Sequence, residues 1–180
     1  MQNDINIMSG INAAVLTPMF NDLSPDFKKM AYHSQKLLKN GCDGLSPLGT
    51  TGEALLFTIE ERKRIVEELV FNDVPVKKIM PGTGMNAISD TVELTQHAVN
   101  LGVGGVLMLP PFYYKSICEK GIFAAYSEVI QLVGSSNLRV YLYNIPRMSG
   151  ISITFKLIEM LLKAYPETIV GIKDSSGNTD

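Results

Sequence analysis

Tryptophan is absent from this chain of 180 residues, aromatic residues make up 8%, and cysteine and histidine occur twice each. Each shortage excludes something. Cys42 and Cys118 are far apart and lack metal-ligand spacing, and His33 and His97 lie in helical patterns away from both, so no metal centre is expected. Two isolated thiols do not make a disulfide framework; a reduced, cytoplasmic compartment is the expectation. An excess of charge of one sign is missing too. The 16 basic and 18 acidic residues leave a net charge of −2, which attracts neither nucleic acid nor an anionic membrane. Long apolar runs are also lacking. The longest, residues 103–114, holds two prolines and is too short to span a bilayer. Residues 1–9 are polar, include Asp4, and do not read as a signal peptide.

What is present is ordinary for a soluble globular domain: 46% hydrophobic and 19% charged residues. The length suits a single domain over residues 1–180. Short apolar runs predict strands over 11–16, 43–47, 76–80, 105–109, 138–143 and 168–173. Between them the spacing predicts helices over 25–39, 58–71, 87–100, about 116–133 and about 154–164. Ser24 is the expected N-cap of the first helix, with Pro25 at its first position. Thr58 and Glu61 form a capping box for the second.

Strands and helices alternating at roughly thirty residues per unit imply right-handed crossovers and a parallel sheet covered by helices, an α/β fold. The first strand runs into Thr17-Pro18-Met19-Phe20, without the glycines of a dinucleotide-binding turn. The chemically suggestive residues fall just past the C-terminal ends of several different strands, the rim where a (β/α)8 barrel builds its active site. A complete barrel has eight strands and about 250 residues. The expected architecture is therefore a TIM barrel truncated after about the sixth strand, lacking the last two units and the C-terminal helices.

The residue that draws most attention is Lys173, which ends an apolar run and precedes a Ser-Ser-Gly turn. Alternation along a strand puts Lys173 on the face of Gly171 and Ile169. A lysine at the mouth of a buried strand is poorly solvated, which favours the neutral amine able to attack a carbonyl and form a Schiff base. The competing reading is a surface lysine that caps a strand. After the fifth strand comes Tyr143-Asn144-Ile145-Pro146, with Tyr143 on the face of Tyr141; its phenol could exchange a proton with an imine on Lys173. After the second comes Gly49-Thr50-Thr51-Gly52-Glu53, whose glycines admit a close ligand and whose amides and hydroxyls suit a carboxylate. A plain turn before a capped helix would explain it as well. Pro111-Phe112-Tyr113-Tyr114 and Gly82-Thr83-Gly84 add phenols and a tight loop at the same rim.

In order and spacing, these segments resemble the dihydrodipicolinate synthase / N-acetylneuraminate lyase family of class I aldolases from Gly10 to Gly177. The resemblance implies that Lys173 forms the Schiff base with pyruvate or a related 2-oxo acid, and that Tyr143 shuttles protons. It implies that Thr50 links Tyr143 to a second tyrosine, Tyr114, and that Thr51, Gly49 and Gly52 bind the carboxylate. It implies no metal or organic cofactor, since the covalent imine on lysine is the electron sink. The partners implied are small molecules, a 2-oxo acid plus an aldehyde, with no nucleic acid and no membrane. Tyr114 in such enzymes reaches a neighbouring subunit's site, so a homodimer or homotetramer is implied for the full-length protein.

Two departures matter, one for the substrate and one for activity. The family's synthases carry an arginine that binds the aldehyde's carboxylate, where this chain has Met148, with Arg147 one residue early. That leaves a 2-keto-3-deoxy sugar-acid aldolase or a neuraminate-lyase-like enzyme beside a 4-hydroxy-tetrahydrodipicolinate synthase. The missing strands leave unpaired sheet edges, which raises the alternative of an inactive truncated chain or non-catalytic module.

Overall fold

The computed structural model describes residues 8–178. The first seven residues of the polar stretch discussed above lie outside the described residues. The described residues divide into two compact units: 8–82 with 97–105, and 83–96 with 106–178.

In the first unit, β1 (Asn12–Ala14) pairs in parallel with β2 (Gly44–Ser46), Asn12 lying opposite Gly44. The connection between them is α1 (Phe27–Lys39). Its cap is Asp26 rather than the expected Ser24: the Asp26 carboxylate accepts from the Lys29 amide at 3.0 Å. Ser24 instead donates its amide and hydroxyl to Asp22 Oδ1 at 3.1 and 2.6 Å. An ionised cap is favoured at the positive end of the helix dipole, and the Lys29 amide holds Asp26 below the usual carboxylate range. The capping box of α2 (Ile59–Phe71) is as expected, with Thr58 N donating to Glu61 Oε2 at 2.9 Å and Glu61 N to Thr58 Oγ1 at 3.2 Å. The two helices meet where the Arg64 guanidinium stacks 4.5 Å above the Phe27 ring.

The expected third strand is reduced to one residue. Pro75 opens a 3₁₀ turn over Val76–Lys78, with Lys78 N donating to Pro75 O at 2.8 Å, and only Ile79 bridges to Leu45. Proline pre-sets the backbone for a turn, which here overrides the β-propensity of the valine and isoleucine around it. Leu45, Ile65 on α2 and Ile79 are wholly buried. Arg62, itself buried, donates to Gly82 O at 2.9 Å and fixes the turn that follows Ile79.

α3 (Ile88–Leu101) begins in the second unit and ends in the first. The second unit holds β3 (Val106–Met108), β4 (Val140–Asn144) and β5 (Ile169–Asp174), all parallel, in that order across the sheet. α4 (Glu119–Val133) joins β3 to β4; α5 (Pro146–Ser149) and α6 (Phe155–Ala164) join β4 to β5. α4 starts three residues later than the spacing predicts, because Ser116 sits at φ 59°, outside the helical region. The short α5 is not expected from sequence. α6 is capped by Thr154, whose hydroxyl accepts from Leu157 N at 3.2 Å and donates to Glu119 on α4. That hydroxyl, with Lys156 at 3.4 Å, holds the Glu119 carboxyl below its usual range. Beneath α4 the buried Tyr126 donates its hydroxyl to Met108 O at 3.1 Å, and burial pushes its phenol up. The alternation of strand and helix with parallel pairing establishes the α/β fold.

Candidate active site

The exits of β4 and β5 carry the expected amine and phenol. Pairing starts with Val140 opposite Ile169 and then slips by one, so that Tyr141 faces Gly171 and Tyr143 faces Lys173. Val170 is the extra residue. This irregularity corrects the simple alternation read from sequence: Gly171 and Lys173 share a face with the two tyrosines, while Ile169 falls opposite Val140. A Cβ on Gly171 would lie 2.7 Å from Tyr141 Cδ1, so the glycine leaves room for that ring. Lys173 Nζ sits 4.0 Å from the centroid of the Tyr143 ring and donates to Ser175 Oγ at 3.3 Å. Tyr143 itself is buried, 3% exposed.

The strand that bears the lysine is less enclosed than expected. Ile172 is 43% exposed and Lys173 half-buried, since among the described residues β5 pairs on one side only. What holds its end in place is Asn144. Its buried amide donates to Asp174 Oδ2 at 2.6 Å, its Oδ1 accepts from Ile153 N at 3.0 Å, and its carbonyl accepts from Ser175 N at 2.8 Å. Hydrogen bonds from the Ser176 hydroxyl first, and then from Asn144, hold Asp174 below the usual carboxylate range.

In the first unit, the loop after β2 is shaped by its backbone. Leu48 and Glu53 adopt left-handed φ values of 59° and 52°. Gly52 has no room for a side chain: a Cβ would stand 2.8 Å from Val15 O and 3.0 Å from Leu48 N. Its carbonyl accepts from the buried Thr17 hydroxyl at 2.8 Å. Nothing lies within 4 Å of the Cβ position of Gly49, and the side chains of Thr50 and Thr51 are exposed. Such a loop can present amides and hydroxyls to an anion.

The third expected segment follows β3. Tyr113 and Tyr114 are 69% and 75% exposed, with their rings edge to face at 5.2 Å. The structure thus brings Tyr143 and Lys173 together; Tyr114 stands out from the same unit, and Gly49, Thr50, Thr51 and Gly52 belong to the other. Sequence reasoning missed the hydrogen bonding of Asn144, although it quoted the residue within its motif. It also missed Asn86 and Lys115, which hold the tyrosine loop and carry no signal in spacing. His97 bonds Glu67 at 2.7 Å between helices, while Cys42 and Cys118 are free thiols. Among the described residues no cluster of His, Cys, Asp or Glu could hold a metal ion, and no helix is long and apolar enough to cross a membrane.

An α/β protein whose parallel strands end in an amine paired with a phenol is the class these features define. Within it, the chain belongs to the dihydrodipicolinate synthetase family, whose model matches residues 7–180. It is 35% identical over 170 residues to the 4-hydroxy-tetrahydrodipicolinate synthase of Methanothrix thermoacetophila, covering 94% of this chain and 55% of that protein. The crystal structure of dihydrodipicolinate synthase from Agrobacterium tumefaciens superposes with a TM-score of 0.91 at 33% identity, over 94% of this chain and 59% of that one. A prophage protein of the same family from E. coli K12, solved in complex with pyruvate, gives 0.82 at 32% identity, over 92% and 54%. The chain spans a little over half the length of the curated relatives it matches.

Proposed function

We propose that this protein contributes the reacting groups of a pyruvate-dependent lyase, a class I aldolase in which Lys173 forms a Schiff base with pyruvate or a related 2-oxo acid. The observation that carries the reading is the Lys173 amine held 4.0 Å from the Tyr143 ring by strand register. The amine attacks the keto carbon to give a carbinolamine. Loss of water then yields the imine, with Tyr143 passing the protons. Loss of a proton from the neighbouring carbon gives an enamine that adds to an aldehyde; the reverse sequence cleaves a carbon–carbon bond. In this scheme Thr50 relays between Tyr143 and Tyr114, and Thr51 with the Gly49 and Gly52 amides binds the 2-oxo acid's carboxylate. The pyruvate complex of the E. coli relative supports the choice of keto acid.

The same proposal takes the chain as the first six strand–helix units of a (β/α)8 barrel, supported by the parallel pairing inside each unit. Tyr114, 75% exposed, suits a role completed by a second subunit in a homodimer or homotetramer. For the aldehyde, one observation favours a second reading. Met148 is 63% exposed and Arg147 is exposed beside it on the single turn of α5, so the arginine fork of the synthases has no counterpart at its own position. That keeps a 2-keto-3-deoxy sugar-acid substrate open as the second reading, beside aspartate semialdehyde.

The test is to treat the protein with pyruvate and borohydride and weigh it. A mass increment that disappears in Lys173→Ala is expected. An increment that persists in that variant would overturn the role of Lys173 in favour of another amine, and none in the native chain would overturn the reading in favour of an inactive truncated chain or a non-catalytic module. Turnover of aspartate semialdehyde against 2-keto-3-deoxy sugar acids then separates the two substrate readings.

A further inference from the structure

The loop that carries Tyr113 and Tyr114 is not anchored by its aromatic side chains, which face solvent and touch one another. Its conformation has to come from elsewhere. The peptide units around Phe112 are gripped from two directions. On one side, Asn86, just past Gly84, offers a single carboxamide oxygen that accepts from Phe112 N at 2.9 Å and Tyr113 N at 2.8 Å. On the other, the Lys115 ammonium donates to the Phe112 carbonyl and, at 2.8 Å, to Ser149 O at the end of α5. The lysine stem lies against Gly150, where a Cβ would come 2.7 Å from Lys115 Cδ. Gly150 has φ 69°, a conformation that itself favours glycine.

From this arrangement we infer that Lys115, with Asn86 as its counterpart, clamps the tyrosine loop to the segment leaving β4 and is a positioning residue for Tyr114. The inference rests on the proposed Schiff-base reaction for its catalytic consequence, and on hydrogen bonding alone for the clamp. Ser149 lies six residues after Tyr143 in a turn tied down at both ends: its hydroxyl oxygen lies 3.1 Å from Ile145 O and 2.9 Å from Ile151 O, either of which can take its one proton, and it accepts from Ile151 N at 3.2 Å. The lysine therefore bonds the exposed loop to a rigid neighbour. A charged donor makes stronger hydrogen bonds than a neutral one, and here one ammonium is shared between two carbonyls. Directional placement is what such a clamp supplies, since a displacement of about 1 Å in a reacting group can cost on the order of 100-fold in rate.

The experiment compares Lys115→Met, Asn86→Ala and Lys115→Arg with the native chain. Hydrogen exchange at the Phe112 and Tyr113 amides is read first, and it needs no reaction. Roughly ten-fold faster exchange is expected in Lys115→Met and Asn86→Ala, as for loss of one hydrogen bond, with native rates recovered in Lys115→Arg. Unchanged exchange in Lys115→Met overturns the clamp. The rate of borohydride trapping at saturating pyruvate is read second. In Lys115→Met it should fall roughly 10- to 100-fold, while the half-saturating pyruvate concentration and the final labelled fraction stay native. A variant that merely unfolded would lose labelled fraction instead. A loosened loop with native trapping rate overturns the positioning role. Absence of trapping in the native chain overturns the proposed reaction and with it the catalytic consequence, while the exchange rates still decide the clamp.

Discussion

The loop after β2 and the paired ends of β4 and β5 place polar groups by opposite means. In the loop the backbone does the placing: two left-handed residues, Leu48 and Glu53, and a glycine at 52 with no space for a Cβ set the course of the chain. Its side chains, Thr50 and Thr51, project into solvent. At the strand ends the register does the placing, and the groups that matter are side chains already in contact, Tyr143 and Lys173. A surface of amides tolerates changes of side chain and fails when its course changes. An amine–phenol pair fails when either partner is altered, whatever happens to the fold.

Removing the phenolic oxygen should separate the two most sharply. Tyr143→Phe keeps the ring beside the amine yet cannot pass a proton, so trapping of pyruvate should slow by roughly 10²- to 10⁴-fold, while removing one buried hydroxyl should lower stability by no more than about 1.5 kcal/mol. Quenched-flow trapping together with urea titration reads both; equal rates in the two proteins would show that the ring alone matters.

The reverse behaviour is expected in the loop. Gly52→Ala forces a Cβ to within 2.8 Å of the Val15 carbonyl, so it should destabilise the protein by about 1–3 kcal/mol in urea unfolding. Thr51→Val, at an exposed site, should leave the same midpoint almost unmoved and weaken retention of pyruvate only. A fully stable Gly52→Ala would break the contrast.

The smallest effect concerns acid. The folded carboxyl of Asp174 lies below its unfolded value because the Ser176 hydroxyl and Asn144 donate to its ionised form. Its stabilising contribution is therefore complete above the ordinary carboxylate range and fades as the pH falls through and below that range. Urea midpoints measured across that interval should decline less steeply in Asp174→Asn than in the native chain.

Much of this organisation is legible in the residues. The capping box at Thr58 and Glu61, the alternating strands and helices, and the shared face of Tyr141 and Tyr143 all follow from local rules. Three things do not. Pro75 turns an apolar run into a 3₁₀ turn, a contest between proline geometry and β-propensity that pattern alone leaves undecided. Asp26 displaces Ser24 as a cap because the chain before it folds back, with Asp26 N donating to Pro18 O at 2.8 Å. Asn86 and Lys115 act through contacts with residues 26 and 34 positions away, which no spacing rule reaches.

The slip at Val170 has a consequence for how this segment can vary. In uninterrupted pairing from Val140 and Ile169, Tyr143 would meet Ile172, and the amine would emerge on the reverse side of the sheet. The single supernumerary residue acts as a spacer that meters the distance from the turn at Tyr165 to the lysine. Loss or gain of one residue in that stretch would carry the lysine to the other face of the sheet, away from the Tyr143 ring.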